Sequence, residues 1–562
     1  MASVAGSGYS DDQIFLIRAF SRMRYPWILS LIIAAIAFVV SASFINHGLV
    51  GSTLPAGPGL TLDESFNIDQ GVYLADAISQ HGPLIVSPRV TRDVFGSERY
   101  LPDHPPVGRL FPGLSHYLMG WLIPGSETCA YNVVAARLGS CSAFSLMVLL
   151  LVEFSRRRFD LTHATLVGAV LLCMPHLLGH ARIASLESAT NLAWVSALIS
   201  LMAWWTGCKT PTLRQSMMTG VLFGLLLLTK VQGIFFGPVV AGWALIRFRD
   251  RAILPLSIVG LTGFAVFFAG WPWLWLDPVS HVMKYLGRTT DRPTLYCWYF
   301  GERFADKAVP WHFPFVMTLA SLPAVSVVGL LGRVGARGFD AVDGLSMFSI
   351  LLPLCIFAVP GVPVYDGTRL FLIVMPAIAL MAARGLARVL KMLVENRWQL
   401  SRSSTLKAAV IASVLMMVSA FPKTSSPIAI NEYGILCGGN RSAAFLGFEA
   451  SYWGESLNGD FWEQVPEGSM VFMAPVSHQF QLSDLESLVP IIQQRRLRLI
   501  PFDYTENQPR GLILLLHRLA DLRRAMQSVP PGAQVLIQST INGTICNRLI
   551  DTNGGTWSSL EQ

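Results

Sequence analysis

The feature that most constrains this chain is its alternation of long apolar runs with short basic loops. Apolar runs occupy residues 27–44, 132–153, 163–181, 185–205, 217–231, 233–247, 253–272, 313–332, 345–361, 369–386 and 407–422. Several approach the roughly 20 residues that a bilayer requires of a helix, and shorter ones use tilt or flanking residues. Backbone in lipid must satisfy its own hydrogen bonds, so such runs read as helices. Composition agrees, since 52% of the 562 residues are hydrophobic and only 14% are charged, too apolar for an ordinary large soluble enzyme. The expected fold class is an α-helical polytopic membrane protein.

Basic residues set the orientation. Arg18, Arg22 and Arg24 lead into the first run, which starts too late and runs too long for a cleaved leader. With that end inside, Arg156-Arg157-Arg158, Lys209 with Arg214, Arg247 to Arg251, Arg333 with Arg337, and the Arg384–Lys407 segment all fall in the cytoplasm. This satisfies the positive-inside rule at each loop. The threading gives eleven spans and an outer C-terminus. The net charge of +7 therefore reports orientation, and nucleic acid is not an expected partner.

Residues 1–422 thus read as the polytopic domain and 423–562 as a small extracytoplasmic α/β domain. Strand-like runs lie at Met470–Ala474, Leu497–Pro501, Leu512–Leu516 and Val535–Gln538, with helices expected near Leu482–Gln494 and His517–Ser528. Cys437 and Cys546 are available to pair within this domain, although spacing alone does not establish it. Asn440 and Asn542 begin Asn-x-Ser/Thr triplets.

The same threading gathers the unexpected polar residues at the outer face. Asp63 and Glu64 open an amphipathic helix expected over Leu62–Ser79, suited to lie flat on a membrane. Carboxylates there also suit a helix N-terminus, so capping is the competing reading. Asp103-His104-Pro105-Pro106 forms a rigid turn, followed by Arg109 and a second amphipathic piece over Leu110–Ile123. Glu187, Lys230, Asp366 and Arg369 lie on the same side. Lys230 interrupts apolar sequence, where a cation needs a partner, a wet cavity or a route to the interface. Arg182 is a candidate partner for Glu187. Trp271, Trp273, Trp275, Tyr296, Trp298, Tyr299 and Trp311 read as an interfacial belt or a surface for sugar or isoprenoid.

The order of these elements resembles a known family. A basic-flanked helix, an Asp-Glu pair in a long first outer loop, an amphipathic helix and a His-Pro-Pro turn are similar to the GT-C class of polyprenyl-phosphate-dependent glycosyltransferases, in its aminoarabinose transferase and protein O-mannosyltransferase (family 39-like) branches. Pro175 to Glu187, Leu228-Thr229-Lys230 and Asp366 to Phe371 extend the resemblance over most of residues 10–390. The sequence departs from the pattern with Glu187 where many relatives carry Asp, and with Val231-Gln232-Gly233 after the Leu-Thr-Lys turn.

The resemblance implies transfer of a sugar from a polyprenyl-phosphate donor to an acceptor, with inversion, in the cell (inner or plasma) membrane. Such chemistry needs a base for the incoming hydroxyl and positive charge for the departing phosphate. Asp63 is the candidate base, with Glu64 supporting it and Glu187 as a further catalytic carboxylate. Lys230 and Arg369 are candidates for the lipid phosphate, with Arg109 and Arg182 behind them. His104, Pro105, Pro106 and Asp366 read as turn or scaffold.

His176 and His180, four apart on one helical face with Glu187 beyond, raise a divalent-metal site that would draw on Glu64, His104, His180 or Glu187; a satisfied interfacial pair is the plainer reading. No Walker loop or dinucleotide fingerprint is present in the sequence. A multi-span transporter or a non-catalytic membrane assembly protein are the alternative functions. A transporter would place its charges near the bilayer midplane.

Overall fold

The computed structural model describes residues 25–46, 57–123, 125, 128–287, 293–335, 338–397, 400–502, 511–553 and 557. Arg18, Arg22, Arg24, Arg337 and part of the loop before Gly57 lie outside the described residues.

All eleven apolar runs are helical over most of their described residues, with breaks at 173–174, 228–230 and 322–323. By length and apolarity, four helical stretches among the described residues suffice to cross a membrane: Val133–Arg158, Val231–Ala269, Arg369–Glu395 and Arg402–Thr424. The number rises to 6 when the bent pairs Leu161–Leu172 with Pro175–Ala181 and Phe313–Ser321 with Ala324–Val334 each count as one span. This measure therefore gives fewer spans than eleven. Trp27–Ala42, Leu213–Leu227 and Ala341–Phe357 are apolar but shorter. Proline explains both bends: Pro175 starts one second limb and Pro323 precedes the other, and proline removes a helical donor and clashes with the preceding turn.

Val133–Arg158 is the central element. Its N-terminus is fixed by the Asn132 side chain, which accepts from the Ala135 amide, a standard way to satisfy an orphan N–H. It packs against Trp27–Ala42, Pro106–Met119 and Glu187–Trp204. Its contacts Met147, Val148, Leu151 and Val152 enter one continuous apolar core with Trp194, Leu198, Phe236 and Phe371.

Two short helices, Glu64–His81 and Pro106–Met119, pack on each other. The second begins at Pro106 rather than Leu110, because proline fits the first helical position, where its missing N–H is not required. Its turn is pinned by the Val107 amide, which donates to the Leu228 carbonyl at 3.0 Å. Close approach is possible because residue 108 is glycine; a Cβ there would stand 2.6 Å from the Thr229 carbonyl oxygen. The His-Pro-Pro turn and the Leu-Thr-Lys turn are thus one packed unit.

Beyond Thr424 come short helices and loops, then a sheet of β3 (Met470–Ala474), β4 (Arg498–Pro501), β5 (Leu512–Leu516), β6 (Gln534–Ile541) and β7 (Thr544–Asp551), in the order β4-β3-β5-β7-β6. A separate ribbon, β1 (Tyr296–Tyr299) and β2 (Glu302–Ala305), precedes the bent pair. β3 pairs in parallel with β4 and β5, while β7 pairs antiparallel with β5 and β6.

Three expectations are corrected in this part. β7 was not expected; it is buried along most of its length, and polar Asn547 and Arg548 interrupt its apolar sequence. The helix expected at Leu482–Gln494 is two helices, broken where Pro490 starts the second. His517–Ser528 holds turns and a short 3-10 segment, Arg524–Gln527, instead of a helix. Cys437 and Cys546 are both free thiols. Cys546 lies buried within β7 and Cys437 in a separate 3-10 turn.

Candidate active site

Five charged side chains, Asp63, Glu187, Lys230, Asp366 and Arg369, meet where the start of Glu187–Trp204 faces the start of Glu64–His81. Lys230 Nζ donates to Glu187 Oε1 at 2.6 Å, and Arg369 Nε donates to the same oxygen at 2.7 Å. Arg369 Nη2 donates to Asp63 Oδ2 at 2.5 Å, and Nη1 to Asp366 Oδ2 at 3.1 Å. The Glu187, Lys230 and Arg369 side chains are only 3, 6 and 11% exposed, whereas Asp63 is 47% exposed. Two buried cations sharing one carboxylate oxygen form a tight charge-assisted set, with Asp63 at its mouth.

Backbone geometry explains the meeting. Asp63 stands at the N-cap position of Glu64–His81, but its side chain makes no capping bond, so its carboxylate remains turned to Arg369. Burial pushes the Asp63 carboxyl up, but Arg369 outweighs burial and holds it below the ordinary aspartate value. It is ionised at neutral pH. Arg369 is set by the preceding turn, in which Asp366 and Gly367 have φ of 54° and 58°. Glycine suits this conformation, and a Cβ at 367 would stand 2.6 Å from the Tyr452 hydroxyl.

Several polar atoms around the cluster make no hydrogen bond among the described residues. Glu187 Oε2, His180 Nδ1, Asn191 Oδ1 and Gln232 Oε1 are buried without a hydrogen bond, and Glu187, Asn191, Lys230, Gln232 and Arg369 line one narrow cleft. Buried polar atoms are usually satisfied. Unused acceptors stand beside two cations in a cavity of about 10 Å³, room for about one water.

The C-terminal region completes this wall. The Arg369 guanidinium lies 4.2 Å from the centre of the Trp453 ring, a cation–π contact. Arg518 Nη2 donates to Asp366 Oδ1 at 3.2 Å. Sequence reasoning missed Asn191, Gln232, Trp453 and Arg518 as site residues. Trp453 lies in the sequence Ser451-Tyr452-Trp453-Gly454-Glu455, but Arg518 carried no local signal.

Other expected site residues fall elsewhere. Glu64 does not support Asp63: it is bound by Arg137 Nε and Nη2 at 2.8 and 2.7 Å and by the Ala184 amide at 2.7 Å. Arg109 is occupied by Asp103 through two bonds of 2.6 and 2.9 Å. It braces the turn at Pro105-Pro106 and is not presented to the cleft. Arg182 does not pair with Glu187, but donates to the Thr424 carbonyl. His104 stands near the cluster, close enough that Lys230 and Arg369 help depress its pKa. Burial, the leading cause, joins them in bringing it down to about 4, against the opposing pull of Asp103.

His176 turns to the Thr368 hydroxyl at 3.1 Å, while His180 Nδ1 is 4.0 Å from Glu187 Oε2. Among the described residues, no group of three or more His, Cys, Asp or Glu is placed to hold a metal ion.

Residues 103–275 match the family model described as dolichyl-phosphate-mannose-protein mannosyltransferase. Among solved structures, ArnT from Cupriavidus metallidurans in the apo state is similar at 14% identity and a TM-score of 0.48, over 93% of this chain and 97% of that one. The archaeal oligosaccharyltransferase AglB from Archaeoglobus fulgidus, in complex with an inhibitory peptide and a dolichol-phosphate, is similar at 11% identity and a TM-score of 0.44, over 87% of this chain and 69% of that one. The S. cerevisiae protein O-mannosyltransferase Pmt1-Pmt2 complex, bound to the sugar donor, is similar at 14% identity and a TM-score of 0.32, over 51% of this chain and 40% of that one. No curated protein matches the chain. The family match spans the His-Pro-Pro turn, Glu187 and Lys230.

Proposed function

We propose that this protein is an integral membrane glycosyltransferase of eleven spans, N-terminus inside, that moves a sugar from a polyprenyl phosphate to an acceptor hydroxyl on the extracytoplasmic face of the cell membrane. Residues 1–422 form its catalytic domain and 423–562 its outer domain. The observation that carries the reading is the convergence of Lys230 and Arg369 on one oxygen of Glu187, 2.6 and 2.7 Å away, beside the half-exposed Asp63.

The chemistry follows from the charges. Asp63 accepts the proton of the incoming hydroxyl as the new glycosidic bond forms. The bond from the anomeric carbon to the phosphate oxygen breaks on the opposite side, and inversion results. Lys230 and Arg369 take up the negative charge left on the lipid phosphate. Glu187 holds both cations in place before the donor arrives, and its free Oε2 with Asn191 and Gln232 accepts from sugar hydroxyls.

Purified protein supplied with polyprenyl-phosphate sugars and an extract of envelope acceptors should transfer sugar. Asp63→Asn should remove transfer while leaving donor binding, and Lys230→Ala should weaken donor binding itself. Undiminished transfer by Asp63→Asn would refute the assignment of the base.

A further inference from the structure

A second cavity, of about 510 Å³, lies between the outer end of Arg402–Thr424 and the elbow joining Phe313–Ser321 to Ala324–Val334. It shares no lining residue with the cleft at Glu187, Lys230 and Arg369. Val325, Met416 and Ala420 make its wall apolar, while Lys423 and Glu432 form a polar end.

That polar end is incomplete. Glu432 is 1% exposed, and one of its oxygens accepts from the Asn542 side-chain amide, while Oε2 has no hydrogen bond. Lys423 Nζ donates to the Tyr433 carbonyl at 2.6 Å, leaving further ammonium hydrogens for another acceptor. Burial raises the Glu432 carboxyl to about 7, with Lys423 and the Asn542 and Ser426 side chains drawing it partly back, as expected of an acid that lacks a close counter-charge. A buried charge without a partner is costly.

We propose that this cavity binds a phospholipid with an aminoalkyl phosphate headgroup. The phosphate meets Lys423, the primary ammonium donates to Glu432 Oε2, and the acyl chains run along Val325, Met416 and Ala420. The choice of headgroup follows from charge and hydrogen bonding. A lipid with only an anionic headgroup leaves Glu432 unpaired, and a simple cation is opposed by Lys423. A trimethylammonium headgroup has the charge but no N–H to donate. The primary amine alone satisfies both ends.

The test is native mass spectrometry of the delipidated full chain with phosphatidylethanolamine, phosphatidylcholine or phosphatidylglycerol. Phosphatidylethanolamine should bind about tenfold more tightly than either competitor, the ratio that one additional charged contact of about 1.4 kcal/mol supplies. Glu432→Gln should erase the preference, and Lys423→Met should weaken all three lipids. Ala420→Phe fills the apolar end without touching the polar one, so it decides the matter if the Glu432 variant does not fold. It should abolish lipid retention at this site while polyprenyl phosphate still binds the other cleft. Equal binding of the three lipids by the unaltered protein, or unchanged phosphatidylethanolamine binding by Ala420→Phe, would overturn the proposal.

Discussion

Asp63 and Glu64 are neighbours in the chain but belong to two ion networks of opposite character. The Glu64 network is closed. Its carboxylate receives Arg137 through two bonds, the Thr61 amide at 2.9 Å and the Ala184 amide at 2.7 Å. Arg137 also donates to the carbonyls of Ile45, Pro58 and Gly59. The Asp63 network is open: two cations crowd one oxygen of Glu187 while the other oxygen has no bond. Saturation marks a tie between chain segments, and unsaturation marks a place for a ligand.

The largest expected effect breaks the closed network. Arg137→Met leaves Glu64 as an uncompensated buried charge, which should cost about 3–5 kcal/mol of folding stability. Chemical unfolding of the detergent-solubilised protein measures it, and any loss of transfer should track the loss of folded protein. A variant of undiminished stability that has lost transfer would move Glu64 back beside Asp63.

The open network should respond in the opposite sense. Asp63→Asn removes the proposed base yet leaves the half-exposed position with a polar side chain, so transfer should fall about 10²–10⁴-fold. Its unfolding midpoint should stay near that of the unaltered protein. Lys230→Met should act next most strongly, weakening polyprenyl-phosphate binding by about 10–100-fold, since a charge-assisted contact of about 1.5–3 kcal/mol is lost. Titration with a fluorescent lipid phosphate checks this. Equal affinity in the variant would leave Arg369 as the phosphate ligand and Lys230 as a support for Glu187.

This contrast also shows what the sequence could and could not reveal. Helices were legible because apolar runs of the right length admit few other structures, and Lys230 stood out because a cation is costly in such a setting. The convergence on Glu187 was not legible. It joins positions 43 and 182 residues apart, and residue type alone does not say which oxygen a cation will find. Asp63 and Glu64 could not be separated for the same reason: consecutive residues leave a helix start in different directions, and only packing shows that one meets Arg137 and the other Arg369. Arg518 was hidden by the expected helix over His517–Ser528, whose apolar spacing is used in a turn. Asn191 and Gln232 are ordinary polar residues until their unpaired oxygens are seen beside Lys230.

The smallest effect sharpens the contrast at His104, whose turn borders the open network and whose Nδ1 is buried without a partner. Burial, with help from Arg109, Lys230 and Arg369, brings its pKa from 6.5 down to about 4, with Asp103 opposing. Between those values the unfolded chain holds more protons than the folded one, so stability from this group is full above about 6.5 and falls as the pH drops toward 4. Thermal unfolding at neutral and mildly acidic pH should show the unaltered protein losing more stability on acidification than His104→Gln, which cannot titrate. A lipid phosphate placed between Lys230 and Arg369 offsets the two cations that oppose a proton on His104. Saturating donor should therefore narrow the difference between protein and variant. If the difference persists unchanged with donor bound, His104 is buried by the closed part of the fold alone and senses nothing of the cleft.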